Sequence, residues 1–206
     1  MKFDFKTLPG YKVKNKPQLL DFPEHKYLTI QGAGNPNNQD FQIKTETLYA
    51  SAYGIKMPFK KSEISKKGEY EDYVIPPLEG YWSINEEAIK KGGFTKDDFV
   101  YEIRLAVPYF VDDSFISERL KDVRLKKADN KYINDVELKV IPARKVVEIL
   151  HIGSYDDEPA SFDFMQKFID ENNLIRLSKN HVEIYLGDPR KVAPEKLKTI
   201  LQVEVK

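Results

Sequence analysis

The sequence contains no cysteine, one tryptophan, three histidines and three methionines in 206 residues. Without cysteine, disulfide and thiolate chemistry are both excluded. Long apolar runs are missing too: no stretch approaches the roughly 18 residues of a membrane span, and no apolar block follows the basic start. Neither a transmembrane helix nor a secretion signal is expected, and the default location is cytoplasmic. Net charge is also lacking, with 33 basic residues against 33 acidic ones. That balance argues against the sequence-independent phosphate attraction behind most nucleic-acid binding. Two basic clusters occur, Lys60-Lys61 with Lys66-Lys67, and Arg124 with Lys126-Lys127. The first lies among Ser, Glu and Gly, and the second falls at the end of a predicted helix, where cations complement the macrodipole. Both read as solvated surface, so no nucleic-acid or membrane partner is expected.

Hydrophobic residues make up 41% of the chain and aromatic residues 12%. A chain of this length buries about 70% of the surface its unfolded form exposes, so it needs no disulfide or metal to stay folded. One globular domain, or two small halves sharing a core, fits the length.

No linker divides the chain, and its organisation shows in repetition instead. The β-prone run Tyr27 to Gly34 precedes turn-forming Asn35-Pro36-Asn37-Asn38 and a helical pattern. Val146 to Gly153 does the same ahead of Ser154 to Pro159. The first helix carries Phe41, Leu48, Ala52 and Ile55 on one stripe and is expected to stop at Pro58. The second carries Phe162, Met165, Phe168 and Ile169, with Pro159 near its start and Asn172-Asn173 at its end. Such stripes serve as core for a helix lying on a sheet. Two strand candidates follow each helix: Val74 to Ile84 and Phe99 to Pro108, then His181 to Leu186 and Ile200 to Val205. The expected fold is therefore α+β, a strand-helix-strand-strand unit occurring twice with pseudo-two-fold symmetry, its antiparallel sheet bearing helices on one face and a central cleft on the other. Residues 1–24 read as an extended N-terminal arm, 25–110 as the first half, 111–142 as a connecting helix and loop, and 143–206 as the second half. The polar stretch Lys60 to Tyr73 is an insertion in the first half, of a kind that surface loops accept cheaply. Asn85 to Gly93 and Ser114 to Lys127 are further helices.

Familiar catalytic patterns are missing. Gly32 and Gly34 lack the rest of a dinucleotide fingerprint, and there is no G-x-S-x-G elbow. His25, His151 and His181 are not spaced as metal ligands, and His151 and His181 read as structural hydrogen-bonding groups at strand ends. No metal or cofactor is expected. What recurs is Glu-x-Tyr, as Glu79 with Tyr81 and Glu183 with Tyr185. Residues two apart on a strand share a face. Val182, Ile184 and Leu186 would then supply the helix-packed core, with Glu183 and Tyr185 facing the other way. A solvated sheet face is the plain alternative, while recurrence at matching places favours a cleft. In a cleft, Glu79, Tyr81, Trp82, Tyr155, Glu183 and Tyr185 would form an aromatic-walled pocket. Such a pocket suits planar apolar or cationic molecules, since ring faces attract cations by roughly 0.5 to 2 kcal/mol.

The sequence resembles the GyrI-like small-molecule-binding proteins, and most closely the stand-alone subgroup related to the cyclopropanoid cyclopropyl hydrolases. The resemblance rests on Asp4 to Lys6, Ile30 to Asn37, Leu48 to Tyr53, Pro77 to Trp82, His151 to Asp156 and His181 to Arg190. It implies two strand-helix-strand-strand units around a shared cleft, in which the glutamate matching Glu183 is central to binding. For hydrolytic members it further implies that a carboxylate and a tyrosine help water open a strained cyclopropane. Carried over, Glu183 would activate water, Tyr185 would donate to developing charge, and Tyr81 and Trp82 would stack on the ring system. Hydrolytic members carry two consecutive tryptophans where this chain has Trp82 and Ser83, and a second histidine where it has Val182. Three functions follow as expectations: sequestration or sensing of small hydrophobic molecules, hydrolysis of strained electrophiles with Glu183 and Tyr185 as the catalytic pair, or inhibition of a topoisomerase by binding it. An internally duplicated sheet needs no second subunit to complete its cleft, so a monomer is expected.

Overall fold

Both β-prone runs that carry the repeat form long strands, and each run ends at a glycine with positive φ, 97° at Gly34 and 144° at Gly153. Residues bearing a Cβ rarely adopt such backbone angles. Each glycine donates its N–H to a carbonyl at the start of the last strand of its half, the first residue of β6 and the residue just before β10. Gly34 bonds the Phe99 carbonyl at 2.8 Å, and Gly153 bonds the Leu197 carbonyl at 3.1 Å. The repeat thus reaches from residue pattern to backbone hydrogen bonds.

The computed structural model describes every residue from Met1 to Lys206. Its elements in chain order are β1 (Lys2–Phe3), β2 (Gln18–Phe22), β3 (His25–Ala33), α1 (Gln39–Lys61), α2 (Glu63–Lys67), β4 (Asp72–Tyr73), β5 (Leu78–Ile84), α3 (Glu86–Lys91) and β6 (Phe99–Val107). They continue as α4 (Asp113–Lys126), β7 (Glu137–Ile141), β8 (Arg144–Ile152), α5 (Glu158–Glu171), β9 (His181–Tyr185) and β10 (Lys198–Glu204). The class is α+β, with the order strand, helix, strand, strand present twice, as β3-α1-β5-β6 and β8-α5-β9-β10. The chain divides into two compact units.

The first unit comprises Met1–Phe5, His25–Pro76 and Ile84–Ile141. Its antiparallel strands run in the order β6-β3-β7, with Ile30 opposite Ile103 and Leu28 opposite Leu105. Helix α1 buries Leu48, Ala52, Ile55 and Phe59, and Phe41 sets its ring edge against Tyr101 at 5.1 Å. The helix does not stop at Pro58 but continues to Lys61. A proline in the last turn forfeits one backbone bond, and the extra residues bury Phe59, which is 2% exposed. Helix α4 buries Ile116, Leu120 and Val123, whereas β7, within the stretch expected as loop, was too short an alternation to read. Helix α3 has the expected ends: Asn85 accepts from the Ala88 N–H at 2.8 Å, and Gly92 closes it at φ 75°.

The second unit comprises Lys6–Glu24, Pro77–Ser83 and Pro142–Lys206. Its strands run β2-β8-β10-β9-β5, all antiparallel. Residues 6–24 are more than a surface arm, because β2 pairs with β8 and both Tyr11 and Phe22 are buried. Helix α5 packs Met165 and Ile169 onto Val147, Ile149, Leu201 and Val203, with Phe162 and Phe168 at the margin. Burial of each such side chain stabilises by roughly 1.5 to 3 kcal/mol. Strand β5, although it belongs to the first half of the sequence, joins this unit through β9.

Candidate functional site

The register of β5 against β9 decides which side chains meet. Leu78 lies opposite Tyr185, Gly80 opposite Glu183 and Trp82 opposite His181. Directly opposed residues of an antiparallel pair project from the same face. On the far side of β9, Leu201 opposes Glu183 and Thr199 opposes Tyr185. Since Leu201 packs against α5, this is the helix-covered face of the unit. The expectation that Val182 and Ile184 pack under the helix while Glu183 and Tyr185 face away is therefore reversed. Val182 and Ile184 are buried all the same; β9 does alternate between polar and apolar residues, but its polar residues His181, Glu183 and Tyr185 are half-buried on the face that α5 covers.

Glu79 and Tyr81 fall on the other face, opposite Ile184 and Val182. There Glu79 is fully buried and accepts the Tyr11 hydroxyl at 2.8 Å, while the Tyr81 hydroxyl accepts from Asn180 Nδ2 at 2.7 Å. Of the six residues expected in one pocket, the structure gathers Trp82, Tyr155, Glu183 and Tyr185 and sets Glu79 and Tyr81 apart. The repeat of Glu-x-Tyr does not carry over into side-chain direction, because the pairing places Gly80, rather than Glu79, across from Glu183.

Gly80 has a local purpose. A Cβ there would lie 2.5 Å from Trp82 Nε1 and 3.0 Å from the Tyr185 hydroxyl, so only glycine leaves room for the indole to lean back along its own strand. Trp82 Nε1 then donates to the Tyr185 hydroxyl at 2.9 Å. That hydroxyl donates to Glu183 Oε2 at 2.7 Å, and His181 Nε2 lies 2.9 Å from Glu183 Oε1. An imidazole with its proton on Nε2 donates to that oxygen. Glu183 thus accepts from both sides, the arrangement of an ionised carboxylate. Tyr155 packs edge-on against Tyr185 at 5.9 Å, and Phe162 packs edge-on against His181 at 4.8 Å. His151 bridges β8 to α5: its Nε2 donates to the Ser154 carbonyl at 3.0 Å, so its Nδ1 accepts from Ser161 Oγ at 2.9 Å.

Glu158 completes the group. It is the first residue of α5, is 6% exposed, and a carboxyl oxygen of it lies within 4.8 Å of one of Glu183. Burial first, and then the charge of Glu183, push its carboxyl up to about 9, so it stays neutral at pH 7. Burial and then Glu183 likewise push Tyr155 up to about 12 and raise Tyr185 well above an ordinary phenol. Both tyrosines remain protonated donors at neutral pH. At the rim, hydrogen bonds from Arg190 hold Asp188 down to about 2.

One ligating atom each from Glu158, His181 and Glu183 falls within 4.8 Å of the others, a span that could hold a cation. Both oxygens of Glu183 and the Nε2 of His181 are already engaged among themselves and with Tyr185, and the cluster reads as a hydrogen-bonded acid, imidazole and phenol rather than as a metal centre. Sequence spacing missed both Glu158 and the link from His181 to Glu183. Glu158 lies 25 positions before Glu183, and an acid ahead of proline at a helix start looks like a terminal charge. The one available signal was Gly80 inside an apolar strand, which marks a close approach.

No functionally curated protein matches the chain. The model of the GyrI-like small molecule binding domain matches residues 15–206. Among solved structures, an uncharacterized conserved protein from Listeria innocua is 32% identical, with a TM-score of 0.85 over 99% of this chain and 100% of its own. A hydrolase from the same organism is also 32% identical, with a TM-score of 0.82 over the whole of both chains. The C-terminal domain of EcmrR, 13% identical, has a TM-score of 0.50 over 93% of this chain and 97% of that one, and shares the fold. With the family model covering all but the first residues, and the strand-helix-strand-strand repeat in place, the chain belongs to the GyrI-like small-molecule-binding domain family.

Proposed function

We propose that the group formed by Trp82, Tyr155, Glu183 and Tyr185 binds small, planar, hydrophobic molecules, often cationic, for sequestration or sensing. The hydrogen-bonded chain from the Trp82 indole through the Tyr185 hydroxyl to Glu183 carries this reading. It sets a carboxylate between aromatic groups and fixes its orientation without neutralising it. An aromatic face and a nearby carboxylate both attract an organic cation, and partial burial strengthens that attraction. Titration with a planar cationic dye, followed by Trp82 emission, tests the site. Saturable quenching that weakens in Glu183→Gln supports it.

A second reading is hydrolysis of a strained electrophile, favoured by the orientation of Glu183 and by the 32% identity to the Listeria innocua hydrolase. For a spirocyclopropyl dienone, Glu183 would take one proton from water as the water oxygen bonds to the ring methylene. The ring C–C bond would break with its electron pair passing to the dienone oxygen, which takes a proton from solvent to give a phenol. Tyr185, whose O–H is committed to Glu183, would orient that base rather than protonate the product. General-base assistance of this kind is worth about 100- to 10,000-fold. Mass spectrometry separates the readings: a product heavier by one water that is lost in Glu183→Gln indicates turnover, and recovery of intact compound indicates binding alone.

A further inference from the structure

The polar insertion of the first half, Lys60 to Tyr73, folds into the end of α1, the short α2 and β4, and β4 pairs in parallel with β1 so that Lys2 lies opposite Asp72. Between these segments is a hollow of about 420 Å³, lined by Lys2, Lys60, Ser65, Lys66, Glu71 and Asp72 and contained in the first unit. Each acid around it already has a cation. Asp72 accepts from Lys56 Nζ at 3.0 Å and from the Tyr73 N–H at 2.8 Å, Glu63 accepts from Lys66 Nζ at 2.7 Å, and Glu71 lies 3.9 Å from the Met1 amino group. Lys60 and Lys2 are left over. Their Nζ atoms stand 3.6 and 4.0 Å from Asp72 Oδ2, beyond hydrogen-bonding distance. Three ammonium groups gathered on one carboxylate leave positive charge in excess, which an anion relieves. Both side chains are more than half exposed, so an incoming ligand reaches them.

We infer that this hollow is a second ligand site, which takes a small soluble phosphate monoester whose phosphoryl oxygens are bonded by Lys2 and Lys60. Two surplus positive charges match a phosphate dianion. The cations are lysines, compact point charges that suit a phosphate, and not the planar forks of arginine that recognise a carboxylate edge-on. A concave place of this volume admits a small molecule, whereas a nucleic acid needs an extended basic surface. The site shares no residue with the group around Glu183, so the inference stands independently of the aromatic-cation reading.

The test is an amide NMR titration with inorganic phosphate at pH 8, where it is a dianion, with ionic strength held by sodium chloride. The Lys60, Lys66 and Asp72 resonances are expected to shift to saturation, and glycerol 3-phosphate should act on the same residues. Lys2→Gln and Lys60→Gln should each weaken binding about 10-fold, the scale of a charge-assisted hydrogen bond. Glu71→Gln removes a lining acid and touches no lysine, and it should tighten binding by about 2- to 5-fold, a direction that damage to the fold would not give. Shifts that stay linear in phosphate, an equal response to nitrate, or affinity unchanged in both lysine variants would overturn the site. Binding to phosphatidate vesicles with none to glycerol 3-phosphate would overturn the soluble ligand.

Discussion

Tyr185 accepts from Trp82 and donates to Glu183 with a single hydroxyl, so removing that oxygen unpairs an indole N–H and a carboxylate together. Tyr185→Phe is expected to lower stability by about 1 to 3 kcal/mol, measured by denaturant unfolding, and to shift Trp82 emission in the folded protein. Gly80→Ala acts on the same bond from the other end. The added Cβ would sit 2.5 Å from Trp82 Nε1, the indole must swing out, and dye affinity is expected to fall about 10-fold as the ring wall is lost. Retention of wild-type emission and affinity in Gly80→Ala would show that the indole position does not matter. Of the pocket expected from pattern and resemblance, Trp82, Tyr155, Glu183 and Tyr185 do come together. Glu79 and Tyr81 were assigned to it wrongly, because residue type and spacing say which groups share a strand face and not which strand lies opposite.

At the scale of elements, what could be read was periodicity. The apolar stripe of α5, the capped ends of α3 and the two long glycine-ended strands all follow from local rules, and the structure has them. What could not be read was register. A shift of one residue between β5 and β9 would exchange Trp82 for Tyr81 beside Glu183, and nothing local in either strand forbids it. Polar alternation usually tells inside from outside, and in β9 it misled, because the polar residues of that strand lie on the face that α5 covers. Strand β7 and the pairing of β2 were missed for a related reason, since short edge strands carry few residues of pattern. The glycines that end β3 and β8 give a sharper expectation. Gly34→Ala and Gly153→Ala each force a Cβ into positive φ, and each should cost about 1 to 3 kcal/mol in unfolding free energy. Loss in one half only would mean that the two turns are not mechanically equivalent.

For the molecule as a whole, the buried pair of carboxyls links stability to pH. Folded, Glu158 keeps its proton up to about 9, whereas an unfolded glutamate releases it near 4. Between those values the folded state binds more protons than the unfolded one, so this group makes stability fall as pH rises from about 5 towards 9, and level off beyond. Thermal unfolding across that range is expected to show the decline in the wild type and a flatter profile in Glu158→Gln. Fold class and duplication were legible at this scale because they are written many times over, in two stripes, two strand runs and two glycine turns, whereas the Glu158–Glu183 contact is written once and depends on how α5 lands on the sheet. Trp82 is the only tryptophan of the chain and a member of the group that holds Glu183, so its emission reports on the site directly. Titrated with 9-aminoacridine at pH 7, it should be quenched to saturation at one dye per chain, and about 10- to 100-fold more dye should be needed in Glu183→Gln. Quenching that never saturates, or that is the same in both proteins, would contradict a ligand site built on Trp82, Tyr185 and Glu183.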